Sequence, residues 1–174
     1  MQIQLPGRRS LGLQGGIDKR NLCVTDARGV RWGVWMIQEI PNINWLAVLV
    51  AAILRIVVGS VWFSPVAFVK PWQQLTGVTP DSMQRGLARA IIVDFILSLV
   101  MAFVLYHAVM YATNMAPGPL AGLAIGFLNW LGFVLATHLP LWAYENRSLK
   151  LIAIGTGSNL VSMLLMGLLF GFWH

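Results

Sequence analysis

Charge is scarce in this sequence: of 174 residues only 10% are Asp, Glu, Lys or Arg, while 57% are hydrophobic. An ordinary soluble domain carries roughly a quarter charged residues, so water is excluded as the solvent for most of the chain. Cysteine is scarcer still. Cys23 stands alone, which excludes an intramolecular disulfide and any CxxC pair for redox or zinc chemistry. Residues 1–35 lack an apolar stretch of the about 7 to 15 residues that a cleavable export signal needs. They also lack helical or strand periodicity, so they read as disordered or as an over-extended start, with Met36 the favoured first residue. Acids are few, leaving a formal charge of +6, but residues 1–35 hold +4 of it, with Arg8, Arg9, Lys19, Arg20, Arg28 and Arg31 set against Asp18 and Asp26. A basic groove for nucleic acid is therefore not indicated.

What the chain does have is long apolar runs. They span about residues 43–63, 90–110, 120–141 and 149–172, each near the roughly 20 residues that cross a hydrocarbon core of about 30 Å. Backbone groups in lipid must be satisfied within a helix or by a neighbour, so residues 36–174 read as one all-α polytopic membrane domain of four transmembrane helices in an antiparallel bundle. Between the first two spans, Val66 to Leu75 is too short and too interrupted by Pro71 to cross, and reads as a short interfacial helix. Thr79-Pro80-Asp81 has the form of an N-cap, a first-turn proline and a first-turn acid. Asn114, Pro117, Gly118 and Pro119 mark a tight connection between the second and third spans.

Counted from Met36, Lys70, Arg85, Arg89, Arg147 and Lys150 all fall on one side, and the other side has no Lys or Arg. The positive-inside rule then places loops 64–89 and 142–150 in the cytoplasm and both termini outside. If residues 1–35 are translated, their basic residues nearly cancel that bias. Trp45 and Trp173 match the outer interface and Trp62, Trp72 and Trp142 the inner one, as an aromatic belt would; Trp130 lies deep in the third span.

Asn44 to Leu49, Trp62-Phe63-Ser64-Pro65, Lys70-Pro71-Trp72, Trp130-Leu131-Gly132-Phe133, Leu149-Lys150-Leu151 and Leu160 to Gly167 resemble a bacterial family of small four-helix membrane proteins, domain-of-unknown-function family 1761. The likeness covers roughly residues 43–173. It implies a multi-pass protein of the bacterial cytoplasmic membrane with no established activity and no assigned site residues. Arg55 and Asp94 look like departures from a usually apolar pattern.

Two constellations stand out. Gly118, Gly122 and Gly126 recur every four residues, with Asn129, Phe133 and Thr137 continuing the same face, and Gly167 and Gly171 repeat the device in the fourth span. Small residues at this spacing let helices pack closely, within the chain or across a homodimer. Arg55 is the second, near the middle of the first span, where a lone arginine costs at least about 2.5–3.5 kcal/mol. By rise per residue Arg55 and Asn159 lie roughly 14 Å deep and Asp94 about 6 Å, a difference an arginine stem can span. The spacing predicts an Arg55–Asp94 pair with Ser98, Asn159 and Ser162 nearby, either a register lock or a water-accessible site. His107, His138 and His174 fall at different depths and cannot share a metal, and neither Ser64 nor Ser162 has a base at its level. No enzyme and no cofactor is indicated. The reading is a non-enzymatic packing or accessory membrane component, with the lipid bilayer and either a second copy or a larger membrane protein as partners; the alternative is a small dimeric transporter built around the Arg55/Asp94 cluster.

Overall fold

A computed structural model describes residues 23–25, 31–33 and 43–174. The chain divides into two units, Met1–Glu39 and Ile40–His174. In the first, β1 (Cys23–Thr25) pairs antiparallel with β2 (Arg31–Gly33), Val24 opposite Trp32. The lack of strand periodicity in this region is compatible with the pair, since three-residue strands are too short to display a period of two. The reading of residues 1–35 as disordered or superfluous otherwise lies outside the described residues.

The second unit begins where a cap permits it. Asn44 accepts a hydrogen bond from the Ala47 amide at 3.0 Å and starts α1 (Trp45–Trp62). Ser64 and Pro65 end that run, and α2 (Val69–Thr76) follows. Pro71 is tolerated there because the first turn of a helix needs no backbone donor, and Gly77 closes α2 in the left-handed region at φ 70°. Helix α3 (Pro80–Ala112) has Thr79 accepting from the Ser82 amide at 3.3 Å, Pro80 in its first turn and Asp81 beside it. It stops where Asn114 and Met115 turn to φ 51° and 63°.

The third span departs from expectation. Residues 120–141 read as one regular helix, but Pro119–Glu145 consists of α4 (Pro119–Asn129), a π-helical turn over Trp130–Leu135, α5 (Ala136–His138) and α6 (Pro140–Glu145). Pro140 has no N–H for the carbonyl one turn back, and i→i+5 closure inserts a residue into the helical phase. That rotation explains a second correction. Phe133 and Thr137 do not continue the glycine face, Phe133 being 72% exposed and Thr137 exposed too, whereas Asn129, which ends α4 before the π turn, is half-buried. Helix α7 (Leu149–Phe172) completes the chain.

Among the described residues four helices, Trp45–Trp62, Pro80–Ala112, Pro119–Glu145 and Leu149–Phe172, are long and apolar enough to cross a membrane. The architecture is thus an all-α polytopic bundle with a short helix between its first two spans. Its core is built from Ala47, Val48, Ala51 and Ala52 of α1, Ala102, Leu105, Tyr106, Val109 and Met110 of α3, and Met166 and Phe170 of α7. Alanines on α1 let α3 come near. Tyr106 fills the space between, edge-on to Phe170 at 5.3 Å, its hydroxyl accepting from the Asn44 amide at 3.3 Å. Burial ranks α7 as the central helix, with 44% of its apolar window buried against 22%, 11% and 17% for the other three spans. Elsewhere the outward residues are apolar, as in the row Leu49, Ile53, Val57 and Val61 of α1, which suits hydrocarbon and not water.

Candidate functional site

The apolar core ends abruptly along its own helical faces. On α1, Ala51 and Ala52 are fully buried, and one turn further on the same face stands Arg55. On α3, stepping back by four residues from Ala102 gives Ser98 and then Asp94; on α7, the same step from Phe170 passes Met166 to Ser162 and Ser158. Three apolar stripes therefore turn polar at one level of the bundle.

Arg55 Nη1 donates to Asp94 Oδ1 at 2.6 Å and to Ser98 Oγ at 2.7 Å. The Ser98 hydroxyl in turn donates to the backbone carbonyl of Asp94 at 2.5 Å. A 2.6 Å charge-assisted bond is at the short, strong end of such contacts. It answers the cost of placing an arginine in hydrocarbon. Asn159 and Ser162 stand beside this pair without bonding to it: Asn159 Nδ2 donates to the Gly155 carbonyl at 3.1 Å and Ser162 Oγ to the Ser158 carbonyl at 2.8 Å.

The pair is not packed away. It borders a cleft of about 470 Å³ lined by Arg55 and Ser60 of α1, Phe63 just past its end, Leu87, Ile91 and Asp94 of α3, and Gly155, Ser158, Asn159 and Ser162 of α7. Asp94 remains 46% exposed and Arg55 18%. Helices α1 and α3 meet from Asn44 and Tyr106 down to Arg55 and Asp94. The cleft lies beyond that meeting point, toward the end of α1 and the start of α3. Sequence reasoning missed Ser60, Gly155 and Ser158 as lining residues; the four-residue step from Ser162 to Ser158 was the signal available for the last.

The glycines act elsewhere. A methyl group at Gly122 would fall on the carbonyl of Gly167, one at Gly126 on that of Met163, and one at Gly171 on that of Gly118. Helices α4 and α7 thus touch backbone to backbone. Gly118 contributes its carbonyl to this contact, while a methyl group on its own Cα would meet nothing within 4 Å.

Two tryptophans assigned by sequence to the interfacial belt and to the span interior share a different task. Trp62 Nε1 donates to the Ile154 carbonyl at 2.9 Å, and Trp130 Nε1 to the Thr156 carbonyl at 2.8 Å. Both tie a neighbouring span to α7. Trp62 also lies against Gly157, where an added methyl would come within 3.0 Å of its ring. His107 and His138 place Nδ1 2.8 Å from the carbonyls of Phe103 and Val134 in their own helices. Among the described residues no three of His, Cys, Asp and Glu gather as metal ligands would.

No curated protein and no solved structure matches the chain. Residues 46–171, which hold the ion pair, the α4–α7 contact and all but the outermost residues of the four spans, match the family described as protein of unknown function (DUF1761), and the chain belongs to that family.

Proposed function

We propose that the chain is a small non-enzymatic, permease-like membrane protein whose working centre is the cleft at Arg55 and Asp94. One observation carries this: the intramembrane ion pair borders an open cavity, with nearly half of the Asp94 side chain uncovered, instead of being sealed between helices. A register lock needs no cavity. Ionisable groups inside a membrane that line a water-filled space are characteristic of solute and proton paths. The charged and hydroxyl groups converge from three helices, so small relative movements of those helices would change the shape of the cleft.

Cysteine accessibility tests this. In a Cys23→Ser background, Asn159→Cys is expected to react with a membrane-impermeant thiol reagent from the side carrying the 64–89 loop, within about tenfold of the rate of a cysteine placed at Ser148. Absence of reaction from both sides would refute an open cleft.

A second reading, an accessory component that packs against another membrane protein, draws on the uncovered surface of α3, only 11% of whose apolar window is buried within the chain. Mass determination in mild detergent, with identification of what co-purifies, separates the two. A reproducible larger partner would favour the accessory role.

A further inference from the structure

Arg55 makes both of its contacts through a single nitrogen, Nη1. Its Nε is buried and has no hydrogen-bond partner among the described residues, and Nη2 donates to none of them. The Nε–H and the adjacent Nη2–H leave the planar guanidinium side by side. They form the fork that receives two oxygens of one carboxylate or phosphate. Asp94 does not take that edge, and a buried N–H without an acceptor is costly. The covered Nε reaches the cleft only with a rotation of the Arg55 side chain, and in that position the uncommitted edge calls for an oxyanion.

Charge at the mouth has the matching sign. The end of the bundle toward which the cleft runs carries Lys70, Arg85, Arg89, Arg147 and Lys150 against Asp81 and Glu145. Of these, Arg147 and Glu145 neutralise one another at 2.7 Å. The remainder is positive, and such a rim raises the local concentration of anions. Across from Ser158, Asn159 and Ser162 the wall includes an apolar part, with Phe63, Leu87 and Ile91 lining the same space. Its volume of about 470 Å³ lies within the roughly 300–1,000 Å³ of small-ligand sites. A ligand matched to these walls has an anionic head and a greasy remainder.

We propose that the cleft binds an amphiphile through a carboxylate or phosphate group seated on the Nε–Nη2 edge of Arg55, with its apolar portion against Phe63, Leu87 and Ile91. This rests on the reading of the cleft as the working centre and names the ligand class. The full chain in phosphatidylcholine nanodiscs is titrated calorimetrically with hexyl phosphate, hexanoate and hexylammonium. Both anions are expected to bind, and the cation at least tenfold more weakly. Arg55→Lys keeps the charge and a partner for Asp94 but loses the fork, and should weaken hexyl phosphate at least tenfold. Asn159→Leu crowds the cleft and leaves the ion pair intact, so it should do the same even if the lysine variant fails to fold.

Nanodiscs containing phosphatidylglycerol decide the source of the head group. Competition with hexyl phosphate, together with phosphatidylglycerol retained by the wild type and lost by Asn159→Leu in native mass spectrometry, assigns the site to a lipid; unchanged binding assigns it to a soluble amphiphile. Either upholds the oxyanion site. Equal affinity for hexylammonium, an unmoved Kd in both variants, or no binding of any probe with no retained lipid would overturn it. If Asn159→Cys is labelled while those outcomes hold, the cleft is open and the ligand class is wrong. If it is not labelled, both readings fall together.

Discussion

Replacing Gly122 with alanine is the sharpest test of how this bundle is held. The added methyl would occupy the position of the Gly167 carbonyl oxygen, a backbone atom that no rotamer change can move. Relief requires α4 and α7 to separate along the whole stretch where Gly126, Gly167 and Gly171 also meet opposing backbone. Overpacking of this kind costs about 1–3 kcal/mol and occasionally more, and in lipid no hydrophobic drive offsets the lost van der Waals contact. Each one to two kcal/mol changes the folded-to-unfolded ratio by a factor of about 5 to 30. Titration with sodium dodecyl sulfate in mixed micelles, followed by tryptophan fluorescence, measures the loss. Gly118→Ala and Gly132→Ala are matched controls, because a methyl at either site meets nothing within 4 Å. Both should unfold like the wild type. The double variant Gly122→Ala/Gly167→Ala should cost less than the two single costs added, since one separation relieves both clashes. If Gly122→Ala unfolded at the same detergent fraction as Gly118→Ala, backbone contact between α4 and α7 would be refuted.

Asp94→Asn leaves Arg55 charged and short of its counterion; breaking a fully buried pair costs about 3–5 kcal/mol, and the half-exposed Asp94 places the expected loss below that range, readable in the same titration as an effect larger than that of Glu145→Gln at the exposed pair. Trp62→Phe and Trp130→Phe each remove an indole hydrogen bond to an α7 carbonyl, and should each destabilise by about 1 kcal/mol beyond any packing loss; a Trp142→Phe control, exposed at the surface, should be neutral. A reporter fused after His174 should be active only on the outer side of the membrane, and activity in the cytoplasm would reverse the orientation drawn from the basic loops.

How legible these features were depended on their range. Run length sets the number of spans, and Thr79-Pro80-Asp81 is a strictly local signal, so both are readable without contacts. The neighbourhood of Arg55, Asp94 and Ser98 could be anticipated because depth in a bilayer is a one-dimensional coordinate countable at about 1.5 Å per residue. Rotation about each helix axis is not countable in that way. The π turn at Trp130–Leu135 has no composition signal, and it carried Phe133 and Thr137 off the face that the glycines share. Trp62 illustrates a related limit. An indole near a span end satisfies an interfacial belt and an inter-helix hydrogen bond equally well by sequence, and only the angular position of α7 decides between them.

The two constellations lie in different contacts of the same helix, and their physics differs. Along α4, α7 presents glycine backbone to glycine backbone, a contact with no side chain to rearrange and therefore effectively rigid. At the cleft, α7 presents Ser158, Asn159 and Ser162 to an arginine whose long stem has several rotatable bonds and whose partner Asp94 is half uncovered. A change of shape at the cleft would therefore fall on α1 and α3, with α4 and α7 moving as one body. The indole of Trp62, which ties the end of α1 to the Ile154 carbonyl, sits where such a movement would have to pivot. Trp62→Phe should accordingly raise the labelling rate of Asn159→Cys, whereas Trp130→Phe, acting between the rigid pair, should leave it unchanged; equal effects of the two would mean that α7 does not divide the bundle in this way.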